Sequence, residues 1–411
     1  MLYQLHEMQR SFLTPLMQWA DASSKLFANS VSPLAHTPFS QRIAAGYELM
    51  YRLGKDYEKP AFGIDSTLVK GAAVDIVEEI IVTKPFCRLI HFRKDLSAQA
   101  AKALNQPKVL LVAPLSGHHA TLLRDTVRGL LTDHDVYITD WTDARMVPLA
   151  CGPFHLDDYV FYVQEFIRLM APDVHVISVC QPTVPVLAAI ALMATAKDPK
   201  LPKTMTMMGG PIDPRRSPTQ VNDLATEKKF SWFENTVIYP VPPNYPGHGR
   251  KVYPGFLQHA GFIAMNPGRH AQSHREFYMH LVTGDCEPAE GHRQFYDEYN
   301  AVLDMPAEYY LDTIKTVFQE FCLPKGTWEV GGQLVRPQDI ETVALFTVEG
   351  ELDDISGAGQ TQAAHDLCSA IPASMKQDFV APECGHFGIF SGRRWREIIC
   401  PKIGEFIQKH A

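Results

Sequence analysis

Three residues of this sequence are of the types that nucleophilic acyl transfer needs, each where a strand-like run gives way to a turn: Cys180 in VHVISVCQPTVPVLAAIALM, Asp353 in TVEGELDDI and His386 in ECGHFG. A cysteine attacks as its thiolate, an imidazole takes its proton, and a carboxylate fixes the imidazole tautomer and stabilises its charged form. The corner at Cys180 opens directly into a helix-forming run, and the positive end of a helix favours thiolate over thiol. The backbone N–H of Gln181 is placed to donate to an oxyanion. Nucleophile corners of this kind usually carry small residues two positions to either side. Here those positions hold Ser178, which is small, and Pro182, which suits a first helical turn where its missing N–H is harmless. On the corner alone, burial as a small apolar side chain is an equal fate for Cys180. The chain order nucleophile, acid, histidine, each at a strand end, favours chemistry.

Asp354 is the rival acid; Asp353 is preferred because it stands third after the strand-end glycine, Gly350. A second oxyanion donor is expected from the turn LSGHH after the Val109–Ala113 run, with the backbone N–H of Ser116 or Gly117 as candidates. His118 is a candidate substrate-binding residue, and His119 a candidate wall residue. Tyr239 and Tyr245, with Tyr253 and Phe256, are candidates to line a pocket under a cap, against the commoner outcome of aromatic core packing. His270 and His274 stand four apart on a helical run, a metal-ligand spacing, but with no adjacent Glu and no evident third ligand they read as surface histidines and no metal is expected.

The elements that must position these residues follow from hydrophobic periodicity. VDIVEEIIV and CRLIHF flank a Thr83-Lys84-Pro85 turn, and then KVLLVA, DVYITDW, VHVISV and KTMTMM alternate with amphipathic or apolar helical runs. That rhythm predicts a mostly parallel, doubly wound sheet. It breaks between about Asp213 and Gln338, where Pro-rich loops and aromatic helical segments such as AEYYLDTIKTVFQEF intervene, and resumes with VALFTVEGELDD and KQDFVAPECGHFG. The expected organisation is an N-terminal helical extension (1–72), a first core part (73–212), an inserted, mainly helical cap (213–338) and a second core part (339–411). In the extension, Leu2, Leu5, Met8, Phe12 and Leu16 form one apolar stripe. Its plainer reading is a helix packed on the body of the protein; its sharper one is a face that settles on a lipid-like or polymer surface.

Apolar residues make up 46% of the chain and charged residues 20%, with a net charge of −8 and no concentrated Lys and Arg, so a nucleic-acid partner is not expected and a neutral substrate is compatible. The eight cysteines form no C-x-x-C pair and read as reduced thiols. No secretory signal and no run long enough to span a bilayer is evident, so the cytoplasm is the expected compartment. No cofactor is implied.

At Ser178-Val179-Cys180-Gln181-Pro182-Thr183-Val184-Pro185 the chain resembles the intracellular poly(3-hydroxybutyrate) depolymerases. The likeness extends over nearly the whole length, through Ile138-Thr139-Asp140-Trp141, Gly209-Gly210-Pro211-Ile212-Asp213, Glu349-Gly350-Glu351-Leu352-Asp353-Asp354-Ile355 and Cys384-Gly385-His386-Phe387-Gly388. The resemblance implies an α/β-hydrolase with a cysteine nucleophile, triad roles for Cys180, Asp353 and His386, hydrolysis of amorphous storage polyester or its oligomers, and location at storage granules. Alternatives are a polyester synthase, which uses the same fold and residue types, and a non-catalytic granule-coat protein. The sequence leaves open whether water or a thiol such as CoA accepts the acyl group.

Overall fold

The computed structural model describes residues 2–29, 31–37 and 39–411. Its core is a nine-stranded sheet. The strands are β1 (Ser66–Val69), β2 (Ala72–Thr83), β3 (Cys87–Lys94), β4 (Lys108–Val112), β5 (Asp135–Trp141), β6 (Val174–Val179), β7 (Thr204–Met208), β8 (Ala344–Gly350) and β9 (Lys376–Ala381). Their spatial order is β1-β2-β3-β5-β4-β6-β7-β8-β9. The pairings from β5 through β9 are parallel, and β3 pairs antiparallel with both β2 and β5. This is the strand order and polarity of an α/β-hydrolase. β4, β6, β7 and β8 are buried along almost all their length, as continuous apolar runs in a sheet covered on both faces must be. The edge strand β1 joins the sheet ahead of residue 72, within the segment expected to be a helical extension.

The chain leaves β4 towards β5 on one side and later returns through β6 towards β7 on the other. In open α/β sheets a crevice forms at such a reversal, outside the carboxyl ends of the strands. Its walls here are the turn after β4 and the corner after β6.

Two helices precede the sheet, α1 (Leu2–Ala28) and α2 (Ser40–Gly54). Within the core, α3 (Leu156–Met170) packs on α4 (Thr183–Thr195), the helix that β6 feeds. Between β7 and β8 the chain adds α5 (Gly255–Met265), α6 (Pro267–Thr283), α7 (Cys286–Tyr299) and α8 (Ala307–Thr313).

The helix α1 does pack on the body of the protein, as its plainer reading expects, but by another face: its apolar stripe faces solvent. Leu2, Leu5, Met8, Phe12, Leu16 and Trp19 are exposed, Phe12 to 84%. The buried face instead holds Tyr3, Glu7, Met17, Ala20, Ser23 and Ser24. Specific partners account for this choice. The Tyr3 hydroxyl donates to Asp304 Oδ2 at 2.6 Å, and buried Glu7 accepts from Arg10 and from the Tyr245 hydroxyl, both at 2.8 Å. Further along, the small Ala20, Ser23 and Ser24 are buried on the helix that packs against α2.

Candidate active site

β6 ends at Val179, and the chain turns so sharply at Cys180 that the residue adopts φ = 68°. For a residue with a Cβ, the left-handed region is unfavourable by about 1–2 kcal/mol, so the surroundings must enforce it. The Cys180 N–H donates to Met208 O at 2.7 Å, and its carbonyl accepts from Thr183 N at 3.1 Å, where α4 begins. α4 is buried along most of its length, which fixes the corner to the core.

The ends of β6, β7, β8 and β9 lie side by side, and they carry Cys180, Gly209-Gly210, Asp353 and His386 in that order. To interact with the sulfur, the imidazole must cross the end of β7, and that end is bare. A Cβ at Gly209 would lie 2.6 Å from Ile389 Cδ1, 3.3 Å from His386 Cε1 and 3.4 Å from Asp353 Oδ2. One at Gly210 would strike the Thr183 side chain and sit 2.5 Å from the Cys180 carbonyl oxygen. The two glycines therefore clear the passage between the strand ends that carry Cys180, Asp353 and His386.

His386 Nδ1 and Asp353 Oδ2 are 2.8 Å apart, with both side chains buried. Asp353 is immobilised on its other oxygen, Oδ1, by the N–H groups of Ile355 at 2.9 Å and Ser356 at 2.8 Å. The bond from Leu352 N to Cys384 O, 2.9 Å, ties the acid loop to the histidine loop. Asp354 is exposed, with Asn266 Nδ2 at 3.4 Å from its carboxylate, so Asp353 is the acid that the fold brings to the ring. Burial alone would push the His386 imidazole down. The Cys180 sulfur and the Asp353 carboxylate outweigh burial and hold it well above its ordinary value. A ring so placed keeps its proton beside the sulfur and can pass it to a leaving group.

The expected second donor loop is rigidly launched. Ala113 N donates to Thr139 Oγ1 at 2.9 Å, and Ala113 O accepts from Trp141 Nε1 at 2.8 Å and from the Tyr159 hydroxyl at 3.1 Å. β4 lies beside β6 with Val112 opposite Ser178, so the turn bearing Ser116 and Gly117 and the corner bearing Gln181 leave neighbouring strand ends. Gln258 and Phe262 of α5 close over Gly117. His118 is buried, stacks on Phe262 with ring centres 4.8 Å apart, and its Nε2 lies 3.1 Å from Tyr299 O. Burial depresses its imidazole to about 4 and that of His119 to about 3, so both rings are neutral near pH 7.

Tyr239 and Tyr245 pack elsewhere. They cluster with Tyr3, Val241, Val252 and Phe256, and the Tyr245 hydroxyl is bonded to Glu7, so their loop is braced on α1 rather than on the corner. His270 and His274 are not surface histidines. His270 is buried with Nδ1 at 2.9 Å from the Tyr296 hydroxyl, and His274 packs against Tyr296 and His292. Among the described residues no group of three metal-ligating side chains converges.

Two residues that the motifs did not mark help to build the site. Glu349, buried at the end of β8, accepts from Gly359 N at 2.8 Å, Thr361 N at 2.7 Å and Gln362 N at 3.0 Å, and so folds the loop that begins with Asp353. The signal was a carboxylate closing an otherwise apolar strand. Tyr309 of α8 donates from its hydroxyl to Gln181 Oε1 at 2.6 Å. It had no local signal, since its partner is 128 positions away.

Residues 209–411 match the family model described as PHB de-polymerase C-terminus. No curated protein matches the chain. Among solved structures it is similar to 2-hydroxy-6-oxo-6-phenylhexa-2,4-dienoate hydrolase from Rhodococcus sp. strain RHA1, at 12% identity and TM-score 0.44, covering 82% of this chain and 99% of that one. It is also similar to Paleococcus ferrophilus monoacylglycerol lipase, at 12% identity and TM-score 0.44, covering 74% and 96%. A membrane phospholipase A, described as a bacterial virulence factor, is similar at 12% identity and TM-score 0.45, covering 98% of each chain.

Proposed function

The chain belongs to the PHB-depolymerase family of α/β-hydrolases, and from that premise we propose that it hydrolyses esters of poly(3-hydroxybutyrate), or of its oligomers, through a thioester on Cys180. The observation that carries the reading is the buried His386–Asp353 pair, whose ring is raised by the Cys180 sulfur. The Cys180 thiolate attacks the ester carbonyl, and the oxyanion so formed accepts from Gln181 N–H and from Ser116 or Gly117 N–H. As the C–O bond breaks, the leaving alkoxide takes the proton of His386. Water then attacks the thioester, giving its proton to His386, and the released thiolate restores the pair with one carboxylic acid formed.

The test is product analysis on amorphous polymer and on soluble oligomers. Wild type should release 3-hydroxybutyrate units and Cys180→Ala none; unchanged turnover by Cys180→Ala would discard the mechanism. Polymer growth with release of free CoA from 3-hydroxybutyryl-CoA would replace hydrolase by synthase.

The outward stripe of α1 supports docking on the polymer granule in the cytoplasm. Leu2, Leu5, Met8, Phe12, Leu16 and Trp19 carry no charge, which suits a neutral polyester better than an anionic bilayer, where basic residues would be needed. Among the described residues no helix is long and apolar enough to cross a membrane.

A further inference from the structure

We infer that the Gln181 side chain forms a polar acyl subsite beside Cys180, selecting acyl groups that bear an oxygen on the carbon β to the reacting carbonyl. The inference rests on the proposed acyl transfer at Cys180 and names what that site selects. Gln181 is 8% exposed, and its Oε1 is taken by the Tyr309 hydroxyl at 2.6 Å. Its Nε2 is buried and has no partner among the described residues. A buried amide donor left unmet is unfavourable, and such groups persist where a ligand meets them.

The geometry limits which ligand that is. Gln181 is the peptide neighbour of the sulfur, so its side chain can reach only the first carbons of an acyl group held on Cys180. With Oε1 occupied by the Tyr309 hydroxyl, the available group of the amide is the N–H donor. Tyr309 is itself fully buried, with Tyr159 stacked at 5.6 Å between ring centres and Trp141 stacked on Tyr159 at 4.2 Å. The amide is thus a donor held in place by a stack of buried aromatic rings. A plain alkanoyl chain would leave it unmet. A 3-hydroxyacyl or 3-acyloxyacyl group offers an acceptor, as hydroxyl at a chain end and as ester oxygen within a chain. Sites built to bond a substrate oxygen discriminate strongly against the analogue that lacks it.

The experiment compares p-nitrophenyl 3-hydroxybutanoate with p-nitrophenyl butanoate on the full-length protein. The readout is the ratio of their kcat/KM values. Wild type should favour the 3-hydroxy ester by about tenfold or more. Gln181→Met keeps the length and bulk of the side chain but removes the donor, and should bring the ratio close to one. Tyr309→Phe, which only unlocks the amide, should lower the ratio part of the way, marking Tyr309 as a positioning residue. A ratio in Gln181→Met equal to that of wild type, or wild-type cleavage of both esters without preference, overturns the inference alone. Failure of wild type to cleave either ester overturns the acyl-transfer reading and the inference together.

Discussion

At the scale of single residues, the fold separates two adjacent carboxylates that the sequence could only rank. Asp353 is locked by two backbone N–H groups and bonded to His386, while Asp354 is exposed. Asp353→Asn should lower kcat on soluble oligomers by about 10³–10⁴, because the imidazole loses its orienting anion. Asp354→Asn should stay within about twofold of wild type, and steady-state kinetics on the two variants decides between them. Gly209→Ala should also lower kcat, by about 10–100-fold, because its methyl group meets Ile389 and His386 at φ = 57°. Melting should shift little beyond the roughly 1–2 kcal/mol of that backbone strain. Cys180, Asp353 and His386 were legible as candidates because each follows a strand end, with Ser178, Gly350 and Gly385 close by in sequence. The Gln181 side chain was not, because its role depends on Tyr309, which only the folded insertion delivers.

At the scale of elements, periodicity revealed that α1 has an apolar face but not where that face points. Burial on the core is the default for such a stripe. It was overridden by polar contacts that no pattern shows, Tyr3 to Asp304 and Glu7 to Tyr245. The same contacts decide how docking should be tested. Removing residues 1–20 would strip the Tyr3 hydroxyl from buried Asp304, so loss of binding would be confounded with damage to the fold. Phe12→Gln combined with Met8→Gln alters only exposed side chains. Sedimentation with amorphous polymer granules should show partition reduced about tenfold or more, since each side chain withdrawn from an apolar surface forfeits about 1.5–3 kcal/mol at full burial. Cleavage of soluble oligomers should remain as in wild type. Equal granule binding by the double variant would refute the docking face.

At the scale of the whole molecule, the buried imidazoles set the response to acid. Burial lowers His118, His175 and His292 to about 4 and His119 to about 3, all from an ordinary value near 6.5. Between those limits the unfolded chain binds protons that the folded chain refuses, so stability is full above about pH 6.5 and falls as the pH drops towards 4. His386 does not oppose this trend. Its raised value contributes stability that is complete below pH 6.5 and is lost only as the pH climbs through its folded value. Asp143 does oppose it: burial, with Asp304 beside it, lifts its carboxyl to about 7. The histidines are more numerous, so the melting temperature should fall between pH 7 and pH 5. A calorimetric series showing no fall would assign control to the Asp143–Asp304 pair. The overall architecture was the most legible level, because alternating buried strands and helices leave few ways to cover both faces of a sheet. The packing of the insertion was the least legible, since its aromatic residues face partners remote in sequence, as Tyr239 and Tyr245 do on α1.

The position of β9 at the sheet edge, last to be made and laid against β8, has a consequence for biosynthesis. The ribosome releases the sulfur of residue 180 long before the imidazole of residue 386. A nascent chain therefore carries a thiol without its neighbouring imidazole until the last strand of the sheet has been made and laid against β8.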